Sequence, residues 1–217
     1  MGRFTVIGLG KFGREVARNL YAKGHEVVGI DNDPERVQDL RDDTTQAIVA
    51  DCTEADTLKS LGIDNSEAVV VSLGEKMDAT VLVTLYLREM GVRRIVTKAV
   101  SPDHGKVLRL VGATEVVLPE RDTALRVASA LGTHGVLEYL PLGPGFSLIE
   151  LAAPGRFVGR TLGELEIRRR FHVLVVAVKN GDRLDLVPGA GYRIQEGDLL
   201  MLIGSDQDLA LVTPDTG

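Results

Sequence analysis

The chain has 217 residues, 44% of them hydrophobic and 26% charged, enough apolar material for a sizeable core but too short for several enzyme domains. Its 25 Lys and Arg against 31 Asp and Glu give a net charge of −6, which argues against a protein whose affinity rests on neutralising a nucleic-acid backbone. The longest run without a charge, Tyr139 to Ile149, is broken by Pro141 and Pro144 and falls far short of a bilayer span, so no membrane crossing is expected.

Strand-like residues begin at Arg3, leaving no room for a signal peptide, and Cys52 is the only cysteine, so a reducing, cytoplasmic setting is expected. Up to about residue 118, short β-branched runs alternate with amphipathic stretches: RFTVIG, KFGREVARNLYAK, HEVVGID, PERVQDLRD, QAIVAD, EADTLKSLG, EAVVVSL, MDATVLVTLYLREMG, RIVTKAV, DHGKVLRLVG and EVVLP. Six strands separated by five helices predict a doubly wound parallel sheet of Rossmann-like α/β type, with helices on both faces. VVGI and AVVVSL are apolar at successive positions, as strands covered on two sides require. Phe12, Val16 and Leu20 share a helix face, and Gly24, Gly91 and Gly112 follow helices as C-terminal caps.

The segment ERDTALRVASALGTHGVLEYL carries a helical period in Leu125, Ala128 and Leu131, with Asp122 as N-cap, and predicts a crossover helix over about 122–133. LPLGPG then supplies three helix breakers, which places a boundary at about 138 to 145. Residues 1–138 are therefore read as the nucleotide-binding domain and 139–217 as a second, small α+β domain. Its strands are SLIELAAPG, FHVLVVAVKNGD, LDLVPGAGY and EGDLLMLIGS, with turn signals such as Asn180-Gly181-Asp182 between them. A short helix is expected around TLGELEIRRR and a final helical turn in DQDLALV.

Gly8-Leu9-Gly10-Lys11-Phe12-Gly13 is a G-x-G-x-x-G that follows the first strand and opens the first helix, the placement that phosphate binding requires. Gly8 permits the tight turn, Gly10 lets the backbone approach a pyrophosphate, and Gly13 lets helix pack on strand. The helix N-terminus offers unpaired N–H groups to the anion. Asp31, at the end of the second strand, can accept both ribose hydroxyls and would repel a 2′-phosphate, which disfavours NADP. Phe12 in the loop and Asn32 beside the acid complete the expected contacts. Asp51 and Cys52 end the third strand and Ser72, Leu73 and Gly74 the fourth, where adenine should lie, although polar loop residues that cap the next helix serve as well. Cys52 has no histidine near it in sequence and no sign of activation, so it is not read as a nucleophile.

A dehydrogenase also needs a group that handles the proton accompanying hydride transfer. His25, His104, His134 and His172 are scattered, match no metal spacing, and are each read as surface or loop residues. Tyr-x-x-x-Lys and G-x-S-x-G are absent. A nucleotide-binding module that is not an enzyme is the leading expectation, with a small NAD-dependent oxidoreductase as the alternative.

The blocks VIGLGKFGREVARNLYAKGHEVVGIDNDPERV, ADCTEADTLKSLGIDNSEAVVVSLGE and VTKAVSPDHGKVLRLVGATEVVLPERDTALRVA resemble the nucleotide-binding half of the RCK (TrkA-N) family. FVGRTLGELEIRRRFHVLVVAVKNGDRLDLVPGAGYRIQEGDLLMLIGS resembles the accompanying TrkA-C module. The resemblance implies a cytosolic regulatory subunit of a Trk- or Ktr-type potassium uptake system, forming a homo-oligomeric, octameric ring beneath a membrane-embedded transporter. It implies gating by ATP and ADP, or by NAD or NADH, and with one such unit in the chain it points to the Ktr arrangement. Position by position, Gly8, Gly10 and Gly13 match the phosphate loop, Asp31 the ribose acid, and Asp51 with Cys52 the adenine side. Lys11 stands where Ktr-type subunits often carry an Arg that reaches the terminal phosphate. Lys98 and Glu120 match positions near the phosphates, the glutamate reaching across a dimer through a divalent cation, Mg or Ca. A solvated strand end and a helix-start acid explain the same two residues. Arg168, Arg169 and Arg170 lie where some TrkA-C modules bind cyclic di-AMP, and where a solvated helix C-terminus would also place arginines.

Overall fold

The computed structural model describes residues 1–132 and 135–213, so His134 lies outside the described residues. It divides into two compact units, Met1–Pro119 and Glu120–Gly217.

The first unit alternates strands and helices as its sequence rhythm dictates: β1 (Arg3–Ile7), α1 (Lys11–Ala22), β2 (Glu26–Asp31), α2 (Pro34–Asp39), β3 (Gln46–Val49), α3 (Ala55–Ser60), β4 (Ala68–Val71), α4 (Met77–Glu89), β5 (Ile95–Lys98), α5 (Pro102–Val111) and β6 (Glu115–Val117). All the strands pair in parallel, in the order β3-β2-β1-β4-β5-β6. The order reverses between β1 and β4, and in such sheets ligands bind at the carboxyl ends of the strands beside that reversal. The central strands are buried on both faces, Val27 to Asp31 and Ala68 to Val71, whereas β3 and β6 at the edges are partly exposed. One core layer joins Val6, Leu9, Ala17, Val27, Val37, Leu40 and Val70, with Phe12, Val16 and Leu20 packing down from α1. The opposite layer holds Ile7, Val28, Ile30, Leu58, Val83 and Leu87. Gly24, Gly91 and Gly112 follow α1, α4 and α5 with φ of +83, +81 and +127°, positions that a Cβ would strain.

A long helix, α6 (Pro119–Gly132), opens the second unit. It starts ahead of the expected residue 122: Pro119 fits the first helical position, and Asp122 is a first-turn acid that favours the dipole, not the N-cap. The remaining elements are β7 (Val136–Gly143), β8 (Phe146–Ala152), α7 (Leu162–Leu165), α8 (Ile167–Phe171), β9 (Leu174–Asn180), β10 (Arg183–Leu186), β11 (Leu199–Ser205) and α9 (Asp206–Val212). The five strands form an antiparallel sheet in the order β10-β9-β11-β8-β7. LPLGPG, expected to break the chain, instead ends β7 and turns into β8 through Gly145 at φ +75°. Pro141 is tolerated there because β7 is an edge strand, where alternate N–H groups face away from the ladder, and because the register shifts just after it. The expected division at 138/139 therefore falls inside β7, and the compact units part at Pro119/Glu120. Gly181 and Asp182 make the two-residue β9–β10 turn, with Gly181 at φ +57°. Glu166, at φ +47°, separates α7 from α8 where one helix was expected.

Candidate functional site

Three backbone facts shape the loop between β1 and α1. Gly8 sits at φ +90°, and a Cβ there would run into the Ser72 carbonyl at the end of β4. A Cβ on Gly13 would collide with the Gly8 carbonyl, so the missing side chain is what lets α1 lie against the loop. Around Gly10 there is open space, and it caps α1 without any side-chain bond, so the first N–H groups of the helix have no internal side-chain acceptor. The first turn of α1 also lacks an acid. This is the form of an anion-binding terminus: close-packed where the loop turns, open where a phosphate would approach.

Asp31 closes β2 and is only 6% exposed. Its Oδ2 accepts from the Leu9 N–H at 2.6 Å and its Oδ1 from the Asp33 N–H at 3.0 Å. The acid thus ties the glycine loop to the strand beside it. Arg36 Nη1, on α2, stands 3.5 Å from the same Oδ2, and its Nε is 3.3 Å from Asp33 Oδ2. The pairing signal was legible as Asp33 and Arg36 three apart on a helix start, yet nothing in the sequence brought Arg36 to Asp31. Asn32 is exposed beside the acid.

Just beyond β3, Asp51 Oδ1 accepts from the Thr53 N–H at 2.9 Å and hydroxyl at 2.7 Å. Those two bonds lower its pKa. The Cys52 side chain is buried in the core layer with Val28 and Ile30, and burial, together with Asp51 and Asp31, pushes its thiol up to about 12. It packs as a small apolar residue. Ser72 is buried, Leu73 half-buried and Gly74 exposed at φ +66°, in sequence order across the end of β4. Phe12 packs into the core behind the loop, while Lys11 is exposed at the first position of α1. Lys98 is the half-buried last residue of β5. Gly8 to Gly13, Asp31, Asn32, Asp51, Cys52, Ser72 to Gly74 and Lys98 all fall at or just beyond the carboxyl ends of strands in the first unit. Glu120 belongs to the second, exposed in the first turn of α6.

The histidines depart from expectation at one position. His104 lies on α5 and is 1% exposed. Its Nδ1 accepts a long bond from the Val100 N–H at 3.4 Å, and its Nε2 has no hydrogen-bond partner. The helical register of DHGKVLRL turns this residue inward along with Leu108, and burial lowers its pKa. His25 packs edge-on against Phe4 at 4.9 Å and accepts from the Gly2 N–H, and His172 is exposed.

In the second unit Arg168, Arg169 and Arg170 form the exposed side of α8. Arg169 pairs with Glu166 at 3.1 Å and Arg170 lies 5.5 Å over the Phe171 ring. Among the described residues no group of three His, Cys, Asp or Glu side chains is arranged to hold a metal ion, and no helix is long and apolar enough to cross a membrane.

Comparisons with known proteins extend this geometry. Residues 4–119 match the TrkA-N domain and residues 146–215 the TrkA-C domain. Ktr system potassium uptake protein C of Bacillus subtilis is 39% identical over 207 residues, 95% of this chain and 94% of that protein. Ktr system potassium uptake protein A of Vibrio alginolyticus is 34% identical over 208 residues, 96% of this chain and 94% of that protein. Among solved structures, the GsuK RCK domain superposes with a TM-score of 0.70 at 24% identity, covering 99% of this chain and 48% of that one. The chain therefore spans about half the length of that GsuK chain, and the likeness is one of fold. With both domain models and near full-length identity to the Ktr proteins, the chain belongs to the RCK (TrkA-N plus TrkA-C) family that includes the Ktr system potassium uptake proteins.

Proposed function

We propose that the chain is the cytosolic, nucleotide-sensing regulatory subunit of a Ktr-type potassium uptake system, and that it gates a separate membrane-embedded transporter. The observation that carries this reading is the 39% identity to Ktr protein C, which runs through 95% of this chain and 94% of its relative. The physical support is the glycine loop, with its open Gly10 and uncapped α1 terminus, placed beside the buried Asp31. An adenine nucleotide, ATP or ADP, or the adenylate half of NAD, places its phosphates at Gly8 to Gly13 and its ribose at Asp31.

The reading includes that the protein is not an oxidoreductase. The buried Cys52 thiol, raised to about 12, stays protonated, and His104 is closed off inside α5. Neither is placed to exchange a proton with a substrate.

Gating needs contacts that differ between nucleotide states, since a ligand bound equally by both shifts nothing. A triphosphate carries one more anionic group than a diphosphate, and Lys11 at the mouth of the loop is the cation to meet it. Glu120 from a neighbouring subunit, through Mg or Ca, would add a second contact, because one carboxylate plus phosphate oxygens is a donor set such cations accept. The surface of α6 supports assembly: Val127 and Leu131, one turn apart, are 48 and 84% exposed, an apolar stripe that a homo-oligomer would cover. Arg168 to Arg170 offer the TrkA-C half an anion-binding surface suited to cyclic di-AMP.

The test is mass by light scattering in ATP and in ADP, followed by potassium flux through the transporter in liposomes with the protein added. An assembly larger than a monomer and a flux that differs between ATP and ADP are expected. A monomer in both nucleotides, or flux indifferent to nucleotide, contradicts the proposal.

A further inference from the structure

A carboxylate has about four acceptor positions. On Asp31 the N–H groups of Leu9 and Asp33 take one on each oxygen, which leaves one on each, the number that a ribose cis-diol fills. Arg36 Nη1 lies 3.5 Å from Oδ2, the oxygen that Leu9 already engages, and its side chain is 53% exposed on the short helix α2. Its Nε is held 3.3 Å from Asp33 Oδ2, and Asp33 is itself fixed as the N-cap of α2, its Oδ1 accepting from the Glu35 N–H at 2.9 Å. Asp33 thus steadies the guanidinium against the ribose acid.

We infer that Arg36 is a specificity-determining residue that competes with the ribose diol for Asp31, so that it compresses the protein's preference for a ribonucleotide over an analogue without ribose hydroxyls. This rests on the proposed nucleotide site and adds a residue to it. The guanidinium is half-exposed over a buried carboxylate and stands a long 3.5 Å from it, so the competition is modest. Moving Arg36 aside costs what an exposed ion pair is worth, and removing it should widen diol discrimination about two- to fivefold. Attraction between Arg36 and the nucleotide phosphates acts on both ligands alike and cancels in the ratio of their affinities. Asp31 and Asp33 outnumber the one guanidinium, so a 2′-phosphate still meets net negative charge there.

The experiment is calorimetric titration of the full chain with ADP and with 2′,3′-dideoxyadenosine diphosphate, for the unaltered protein, Arg36→Met and Arg36→Lys. The expected result is an ADP-to-dideoxy affinity ratio about two- to fivefold larger in Arg36→Met than in the unaltered protein. Arg36→Lys, which keeps the charge, should stay nearer the unaltered ratio. An unchanged or smaller ratio in Arg36→Met overturns the inference, as does a gain in Arg36→Lys equal to that in Arg36→Met. If ADP binds the unaltered protein and only the ratio fails, Arg36 is wrongly assigned and the site stands. If ADP does not bind the unaltered protein, the site reading falls and this inference falls with it.

Discussion

Asp31 and Asp198, one in each unit, are the two buried carboxylates among the described residues, at 6% and 0% exposure, and their surroundings differ in kind. Asp198 accepts from the Asn180 amide at 2.6 Å, the Tyr192 hydroxyl at 2.9 Å and the Gln195 N–H at 2.9 Å, while its own carbonyl accepts from the Ala153 N–H. Two of its three donors are side chains from the strand end and loop that it holds together. Burial, and then the bond to Asp198, raise the Tyr192 pKa, which keeps that hydroxyl a donor. Apart from a half-exposed guanidinium that can leave, Asp31 has only backbone donors, Leu9 within the glycine loop and Asp33 at the start of α2. A buried acid that gathers three donors from its own chain, two of them side chains it holds in place, is architecture. One that keeps positions open at the carboxyl end of a strand is suited to a ligand.

That contrast breaks first at Asp198. Replacing it with Ala takes the shared charged acceptor from Asn180, Tyr192 and Gln195, of which Asn180 and Gln195 are exposed and can turn to water, and a loss of about 2–4 kcal/mol is expected by denaturant unfolding. Nucleotide affinity of the folded fraction should be unchanged. A loss below about 1 kcal/mol would show that Asp198 is not the hub its bonds suggest. A smaller stability effect is expected for Asp31→Ala, about 1–2 kcal/mol, because two donors, the Leu9 and Asp33 N–H groups, lose an acceptor where Asp198 serves three.

The smallest effect belongs to His104, buried but neither bonded like Asp198 nor open like Asp31. Burial holds its pKa below the ordinary 6.5, so between the lowered value and 6.5 the unfolded chain binds more protons than the folded one. Its contribution is therefore complete above pH 6.5 and is lost as the pH falls below it, with a slope of at most about 1.4 kcal/mol per pH unit for one proton. Unfolding curves of the unaltered protein and His104→Phe from pH 7.5 to 5 should diverge in that direction. Parallel curves would mean that His104 takes up its proton in the folded state at no cost.

The sheet of the first unit was legible because its strands are short, β-branched and separated by helices of clear period, and because VVGI and AVVVSL admit only a doubly covered position. The loop was legible because Gly8 and Gly13 each answer a steric demand that the structure contains, while Gly10 faces open space. The start of α6 and the strand at β7 were misread for one reason. Pro119 was left at the end of a strand run with Asp122 as the N-cap, and Pro141 was weighed as a breaker, whereas proline also suits a helix start and an edge strand. His104 was misplaced because a lone histidine has no period of its own, and only the neighbouring Gly105 and Leu108 show which face of α5 is buried. Arg36 and Asp198 went unread since their partners are set by tertiary packing: a carboxylate on the preceding strand for one, and Asn180, eighteen residues away, for the other.

The central claim is that an adenine nucleotide binds through the glycine loop and Asp31, and calorimetric titration of ATP, ADP and NAD into the unaltered protein and Asp31→Ala tests it directly. The expected result is saturable binding of at least one of the three, weakened by about 1.5–3 kcal/mol in Asp31→Ala, a loss on the order of 10- to 150-fold. Equal affinity in the two proteins, or no binding of any of the three to the unaltered chain, would contradict it.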